Sequence, residues 1–231
     1  MKPLISIGLP VKDGFKDRSQ NDINLEKSLN SILSQTYENL EIIISDNCSE
    51  DETTKFLNKK VLSDKRIRLF NQKKEISWAE NFKFVLEKSS GKYFKWNAAD
   101  DLISENFIEE NLIFLEKNLD FVCSSSKFFY ENNKNNIHKF NLDKDLYSRL
   151  SGFFKIRHIS HNILYSLVRR ECMYKTVDIS KDYWAVDWMF DLDLLINGKF
   201  KTIENGFISF GTKIISKKKE FLDIAPYKKK K

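Results

Sequence analysis

Eight positions without a charge, LISIGLPV at 4–11, end abruptly in KDG. An unbroken apolar run of this length predicts a strand covered on both faces, and Lys-Asp-Gly predicts the turn after it. Leu25, Leu29, Ile32 and Leu33 then recur at helical spacing, with Asp22 placed to cap. LEIIISDN (40–47) reads as a second buried strand. SEDE (49–52) has the form of a capping box, Ser49 with Glu52, opening a helix with Phe56 and Leu57 inward. IRLFNQ (67–72) is a third strand. SWAE (77–80) opens a further helix whose Trp78, Phe82, Val85 and Leu86 form one face, and Gly91 closes it. YFKWNA (93–98) is a fourth strand. Strand and helix thus alternate four times in the first hundred residues, which predicts an α/β fold built on a mostly parallel sheet with right-handed crossovers.

The period loosens after residue 102. Ser104 is placed to cap a helix with Ile108, Leu112 and Leu115 inward. FVCSSSKFFYEN (121–132) and NILYSLVRR (162–170) read as strands, NNKNN between them as a loop. AVDWMFDLDLLING (185–198) reads as a helix stopped by Gly198, and FKTIENGFISFGTK (200–213) as a strand pair or an irregular edge. Internal repeats and linkers are not evident. The expected organisation is one domain over 1–231, with residues 1–101 as one half and 102–231 as the other.

In a parallel sheet, ligands bind outside the carboxyl ends of the strands. The residues expected there are Lys12 and Asp13, then Asp46 and Asn47, then the adjacent acids Asp100 and Asp101. Adjacent like charges at the end of a buried strand need a cation or open water. Paired carboxylates suit Mg²⁺ or Mn²⁺, with phosphate oxygens and water filling the other positions. The pair therefore points to a metal-bound diphosphate. The phosphate loop GxxxxGK[ST] and the dinucleotide fingerprint GxGxxG are both missing, which argues against kinase-like and dinucleotide-binding chemistry.

Composition narrows the class further. With 41% hydrophobic and 31% charged residues in 231, the chain can build a sizeable core and is not a disordered segment. The net charge of +6 is partly local, because KKKE (217–220) and KKKK (228–231) crowd the last fifteen residues. That tail reads either as a solvated terminus or as a contact for an anionic membrane, at about 1 kcal/mol per basic residue. Basic residues interleaved with stacking aromatics along a groove are not seen, so nucleic acid is not an expected partner. Cys48, Cys123 and Cys172 are odd in number and far apart, giving neither a disulfide framework nor a zinc pattern. A reducing cytoplasm is the expected setting, free or peripheral on the inner face of a membrane. The opening apolar run is too short for a signal peptide, and no run approaches the ~18 apolar residues of a spanning helix.

Taken in order, ISIGLPVKDG, LEKSLNSILSQTYENLEIIISDNCSEDET, Asn81-Phe82 and GKYFKWNAADD resemble family 2 glycosyltransferases of the GT-A fold, closely over residues 4–117. The resemblance implies a Rossmann-like, mostly parallel sheet flanked by helices. It implies an inverting transfer of a hexosyl group from a nucleotide-diphosphate sugar, with UDP expected, to a hydroxyl of a glycan or lipid-linked acceptor, as in surface polysaccharide assembly. It places Pro10, Lys12, Asp13, Asp46, Asn81 and Asp100 around the nucleotide, and Asp101 with Asp100 on a divalent cation, Mn²⁺ or Mg²⁺. It places Asp187, in AVDW, as the base for the acceptor hydroxyl. Residues 1–101 become the nucleotide-sugar half and 102–231 the acceptor half. The sequence departs from the family pattern at three places. Lys12-Asp13 replaces Tyr-Asn, Ala98 replaces the first acid of Asp-x-Asp-Asp, and Glu80 replaces an Arg.

Other readings of the same residues stand beside these. Asp100 and Asp101 also suit a helix start, Asp46 an Asx-turn, and Asp187 a solvated acidic face with Asp191 and Asp193. Asp182 and Asp191 compete with Asp187 as base. His158 and His161 have no third ligand nearby and read as structural or acceptor-side residues. Trp96 reads as core, as do Trp184 and Trp188, which flank Asp187. Two other classes remain open: a nucleotidyltransferase releasing pyrophosphate, and a degenerate transferase that binds nucleotide or glycan without turnover.

Overall fold

The computed structural model describes residues 2–16, 22–181 and 185–212. The Lys-rich tail, Asp182 and Trp184 lie outside them. The first half alternates as its pattern requires: β1 (Ile5–Val11), α1 (Leu25–Leu33), β2 (Leu40–Asp46), α2 (Thr53–Ser63), β3 (Ile67–Asn71), α3 (Trp78–Glu87) and β4 (Tyr93–Trp96). The four strands are parallel in the order β3-β2-β1-β4. Every residue of β1, β2 and β4 is buried, which is why these segments carry no apolar/polar alternation. Ile5, Ile7, Leu9 and Val11 point to the face covered by α1 and α2 through Leu25, Leu29, Ile32 and Leu57. Ile43, Phe94 and Trp96 point to the opposite face, against Val85 and Leu86 of α3. The core is therefore two apolar layers, one on each side of the sheet.

The second half extends the same sheet. It comprises β5 (Leu102–Ile103), α4 (Phe107–Lys117), β6 (Phe121–Tyr130), β7 (Asn133–His138), β8 (Asn141–Leu142), α5 (Leu146–Ile156), α6 (His161–Leu164), β9 (Leu167–Arg169), α7 (Arg170–Met173), α8 (Val186–Asn197) and β10 (Lys199–Phe210). The order continues from β4 as β9-β6-β10-β5. β9 is antiparallel to both neighbours, β10 is parallel to β6, and β5 is antiparallel to β10. Trp96 meets Phe190 of α8 edge-on at 5.2 Å, so the second half also covers the face on which α3 packs.

Several local expectations are corrected. Asn24, not Asp22, caps α1, accepting from Lys27 N at 3.1 Å. Ser49 and Glu52 form no capping box, because the Ser49 hydroxyl accepts from Asp13 N at 2.8 Å. Asn106, not Ser104, is the residue before α4. α3 ends at Glu87 with Lys88 as its cap, before Gly91. Trp78 is 47% exposed at the start of α3 rather than on its buried face. Of NNKNN, residues 133–136 belong to β7, an exposed strand paired with β6, and only Asn132 lies in the turn before it. Residues 162–170 divide between α6 and β9, since an apolar run this short does not distinguish helix from strand. Residues 199–210 form one strand with a register break between Ile203 and Phe207, next to β6. The Ser77–Glu80 capping box and the stop of α8 at Gly198 are as expected.

Candidate active site

The chain leaves β1 toward β2 on one side and returns to β4 on the other, so a crevice opens at the carboxyl ends of these two strands. Pairing of β1 with β4 stops at Gly8–Trp96, while pairing with β2 runs on to Val11–Asp46. Pro10 lies in that extra length, buried and opposite Ser45 of β2. A residue without an N–H is tolerated there because β4 has already ended.

The β1 and β2 ends are latched together by polar side chains. Asp13 sits in the left-handed region at φ 49° and is buried. Its Oδ1 accepts from Glu50 N at 2.8 Å while its own N–H donates to Ser49 Oγ. Asp46, 2% exposed, accepts from Ser49 N at 3.2 Å and from Thr54 Oγ1 at 2.5 Å. Asn47 holds both polar groups of Ile76 in the loop before α3. Lys12 pairs with Glu75, and that hydrogen bond raises the lysine above its ordinary value. Asn81, on α3, donates to Ser45 O at 3.3 Å; its buried Oδ1 has no partner among the described residues.

On the β4 side the acid pair opens onto a cavity of about 530 Å³. Asp100, Asp101, Tyr130, His161, Tyr165 and Phe210 are among its lining residues. Asp101 is 5% exposed and accepts from Gly211 N at 3.1 Å. A Cβ on Gly211 would lie 2.4 Å from Asp100 O, so only glycine lets the segment after β10 approach the pair this closely. Below the pair, Lys95 is fully buried in β4. It donates to Trp96 O at 2.9 Å and to Tyr165 O at 2.7 Å, and sits 4.9 Å over the Phe107 ring. Burial lowers the ammonium to about 7, against the opposing pull of the Asp101 charge. Burial, with a smaller push from His138, takes His161 down to about 4, so its ring is neutral at pH 7; Nε2 lies 3.3 Å from the Tyr130 hydroxyl.

Asp187 stands in the first turn of α8, partly exposed, just after Ala185 in the left-handed region at φ 60°. Tyr165 ties it to the acid pair. The phenol is raised well above its usual value first by burial, then by the charges of Asp101, Asp100 and Asp187. Asp191, one turn on, is a different kind of acid. It is 1% exposed, and among the described residues neither oxygen has a partner within ordinary hydrogen-bond geometry. Burial and the Asp187 charge raise it well above the carboxylate range, and the nearby Ser160 hydroxyl only partly offsets them. Asp191 is thus closed off from solvent, whereas Asp187 is partly exposed. Trp188 packs with the apolar layer around Phe190.

The tertiary structure therefore brings Asp100 and Asp101 onto one cavity, with Asp187 close enough for its charge to act on Tyr165 of the same cavity, and groups Lys12, Asp13 and Asp46 at the adjoining strand ends. Reading the sequence missed Lys95, Tyr130, Tyr165 and Phe210. A lysine inside a buried strand was the available signal for Lys95; the aromatics had none, because they come from three separate elements. Two neighbouring carboxylates facing an open cavity fit a hard divalent cation. Among the described residues no cluster of three or more His, Cys, Asp or Glu could hold a metal ion, so other ligands would be phosphate oxygens and water.

This architecture is that of the GT-A glycosyltransferases. The crystal structure of S. aureus TarS 1–349 in complex with UDP-GlcNAc superposes with a TM-score of 0.71 at 13% identity, over 91% of this chain and 60% of that one. Mannosyltransferase PcManGT from Pyrobaculum calidifontis, in complex with GDP-Man and Mn²⁺, gives 0.61 at 12% identity, over 94% and 59%. A family model, Glycosyl transferase family 2, matches residues 23–186, and the chain belongs to that family. It is 38% identical over 94 residues to an uncharacterized glycosyltransferase of Haemophilus influenzae, covering 41% of this chain and 29% of the relative. With Glycosyltransferase GlyG of Streptococcus pneumoniae it shares 29% over 109 residues, covering 47% and 34%. These matches span about a third of the relatives' length.

Proposed function

We propose that the protein transfers a sugar from a nucleoside-diphosphate sugar, with UDP the favoured nucleotide, to a hydroxyl of a glycan or lipid-linked acceptor, with inversion. The observation that carries this reading is the acid pair at the end of β4, opening onto the cavity whose Tyr165 feels the charge of Asp187. Residues 1–101 form the donor half: Pro10, Lys12, Asp13, Asp46 and Asn81 border the nucleotide, and Asp100 reaches its ribose. Residues 102–231 form the acceptor half. Asp101, with Asp100, would hold Mg²⁺ or Mn²⁺, which supplies positive charge to the departing diphosphate. Asp187 takes the proton of the acceptor hydroxyl. The freed oxygen bonds to the sugar carbon on the face opposite the diphosphate, and the electron pair of the breaking C–O bond leaves with the diphosphate. The superposition with nucleotide-sugar complexes supports the donor class. No helix among the described residues is long and apolar enough to cross a membrane, which fits action at the cytoplasmic face on polysaccharide precursors.

Calorimetric titration of UDP, GDP, dTDP and CMP, each with and without Mn²⁺, tests the reading. One diphosphate is expected to bind only with metal, and Asp101→Ala to lose that binding. Absence of binding under every condition would move a degenerate scaffold ahead. Ala98 and the engagement of Glu80 by Ser77 N both favour that alternative.

A further inference from the structure

Helix α5 carries chemistry that the crevice does not use. Beside it, about 270 Å³ of open space is lined by Lys144, Ser148, Arg149, Ser151 and Lys155 of the helix region and by Asp143 before it. Three cations line it against one carboxylate. That carboxylate is already engaged, with Lys201 Nζ 3.6 Å from Asp143 Oδ2. Arg149 is anchored by backbone alone, Nε donating to Leu195 O at 3.1 Å and Nη1 to Lys144 O at 2.8 Å. Its charge is therefore held in place and left unneutralised by these contacts. Lys144 and Lys155 are exposed and form no ion pair among the described residues.

The same helix presents aromatic side chains to solvent. Tyr147 is 82% exposed and Phe154 53% exposed. They are seven residues apart, with Ser151 between them, so they share one stripe that borders the cationic space. Phe153 points the other way and is fully buried, so the helix is seated in the core and its outer face is free to meet a partner.

We propose that α5 is a docking surface for an anionic membrane. The space between Lys144, Arg149 and Lys155 takes a lipid phosphate, and Tyr147 and Phe154 enter the headgroup region. The occupant is set by charge complementarity. Clustered Lys and Arg attract an anionic leaflet. Tyr and Phe beside them favour the boundary between headgroups and acyl chains, where a ring has one wet and one apolar side. The surface lies outside the crevice and stands whether or not the acid pair turns over a sugar.

Co-sedimentation of the full chain with vesicles tests this. Phosphatidylcholine vesicles are compared with vesicles that also contain phosphatidylglycerol. The wild type is expected to pellet only with the latter. Lys144→Gln with Lys155→Gln is expected to weaken binding roughly 25-fold, at about fivefold per charge. Tyr147→Ser with Phe154→Ser should lose binding while keeping the wild-type circular dichroism spectrum. Inorganic phosphate, at ionic strength matched with chloride, should leave binding within about twofold, because the aromatic contacts persist. Three results would each overturn the proposal: no pelleting of the wild type, wild-type pelleting by both double variants (which would assign the contact to the Lys-rich tail), or full displacement by phosphate.

Discussion

At the scale of single residues, the site is governed by which charges are hidden and which meet water. Lys95 is the hidden cation. Its unfolded value is near 10.5 and its folded value about 7. Between these the unfolded chain binds the proton and the folded chain does not, so stability rises with pH across that window. Below about 7 both states carry the proton and the full cost of burial stands. The urea midpoint of the wild type is therefore expected to gain, relative to Lys95→Met, between pH 7 and pH 9. Equal pH dependence in the two proteins would show that the lysine keeps its proton in the folded state, as a solvated ammonium does. Asp187 is the opposite case, a partly exposed acid whose charge reaches Tyr165 of the cavity. Asp187→Asn is expected to lower turnover on the order of 10²–10⁴-fold while diphosphate affinity stays within about twofold, as for loss of a general base. A joint loss of binding and turnover would instead place Asp187 in the nucleotide site.

At the scale of elements, short polar devices decide where helices start and how they enter the site. In α3 the Ser77 hydroxyl accepts from Glu80 N at 3.1 Å while the Glu80 carboxylate accepts from Ser77 N at 2.8 Å. Both backbone donors would otherwise be unmet. Ser77→Ala is expected to cost about 1 kcal/mol, read as a lower urea midpoint with an unchanged slope. The same helix carries Asn81 against the end of β2, so the cap also sets how α3 meets the crevice. A capping box was legible here because both partners are local. It was misread at Ser49 because Asp13, 36 residues earlier, takes that hydroxyl instead.

At the scale of the whole molecule, the edge of the sheet opposite the site is held by one buried carboxylate. Glu41 of β2 accepts from Ser6 Oγ of β1 at 2.6 Å and from Arg68 Nη1 of β3 at 2.8 Å. It also accepts from Ser90 N and Ser90 Oγ, just before β4, at 2.6 and 2.8 Å. Four parallel strands are thus tied to one side chain. Burial alone would raise the carboxyl, but the hydrogen bonds from Ser6, Ser90 and Arg68 outweigh it and hold the group below its ordinary 4.5. Its contribution is present above that value and is lost as pH falls through the lowered folded value. Glu41→Gln is expected to cost about 2–3 kcal/mol at pH 7, as for hydrogen bonds to a charged group. The difference from wild type should shrink on acidification below 4.5; a constant difference would assign the effect to packing. Gly91 belongs to the same clamp, since a Cβ there would lie 2.7 Å from Ser6 N and 2.8 Å from Leu4 O.

The sequence by itself determined the parallel half-sheet, its covering helices and the acids at the strand ends. Apolar runs, helical periods and adjacent charges are local patterns, and their physical meaning does not depend on distant partners. It also singled out Asp187 among several acids, through its place in a family pattern. Only the tertiary structure separated Asp187 from Asp191, because access and burial differ by one helical turn and depend on what packs against it. Only the tertiary structure put Tyr130, Tyr165 and Phe210 around the acid pair, and made 199–210 a strand beside β6 rather than an edge. Those outcomes rest on contacts between residues far apart in sequence, which no window along the chain contains.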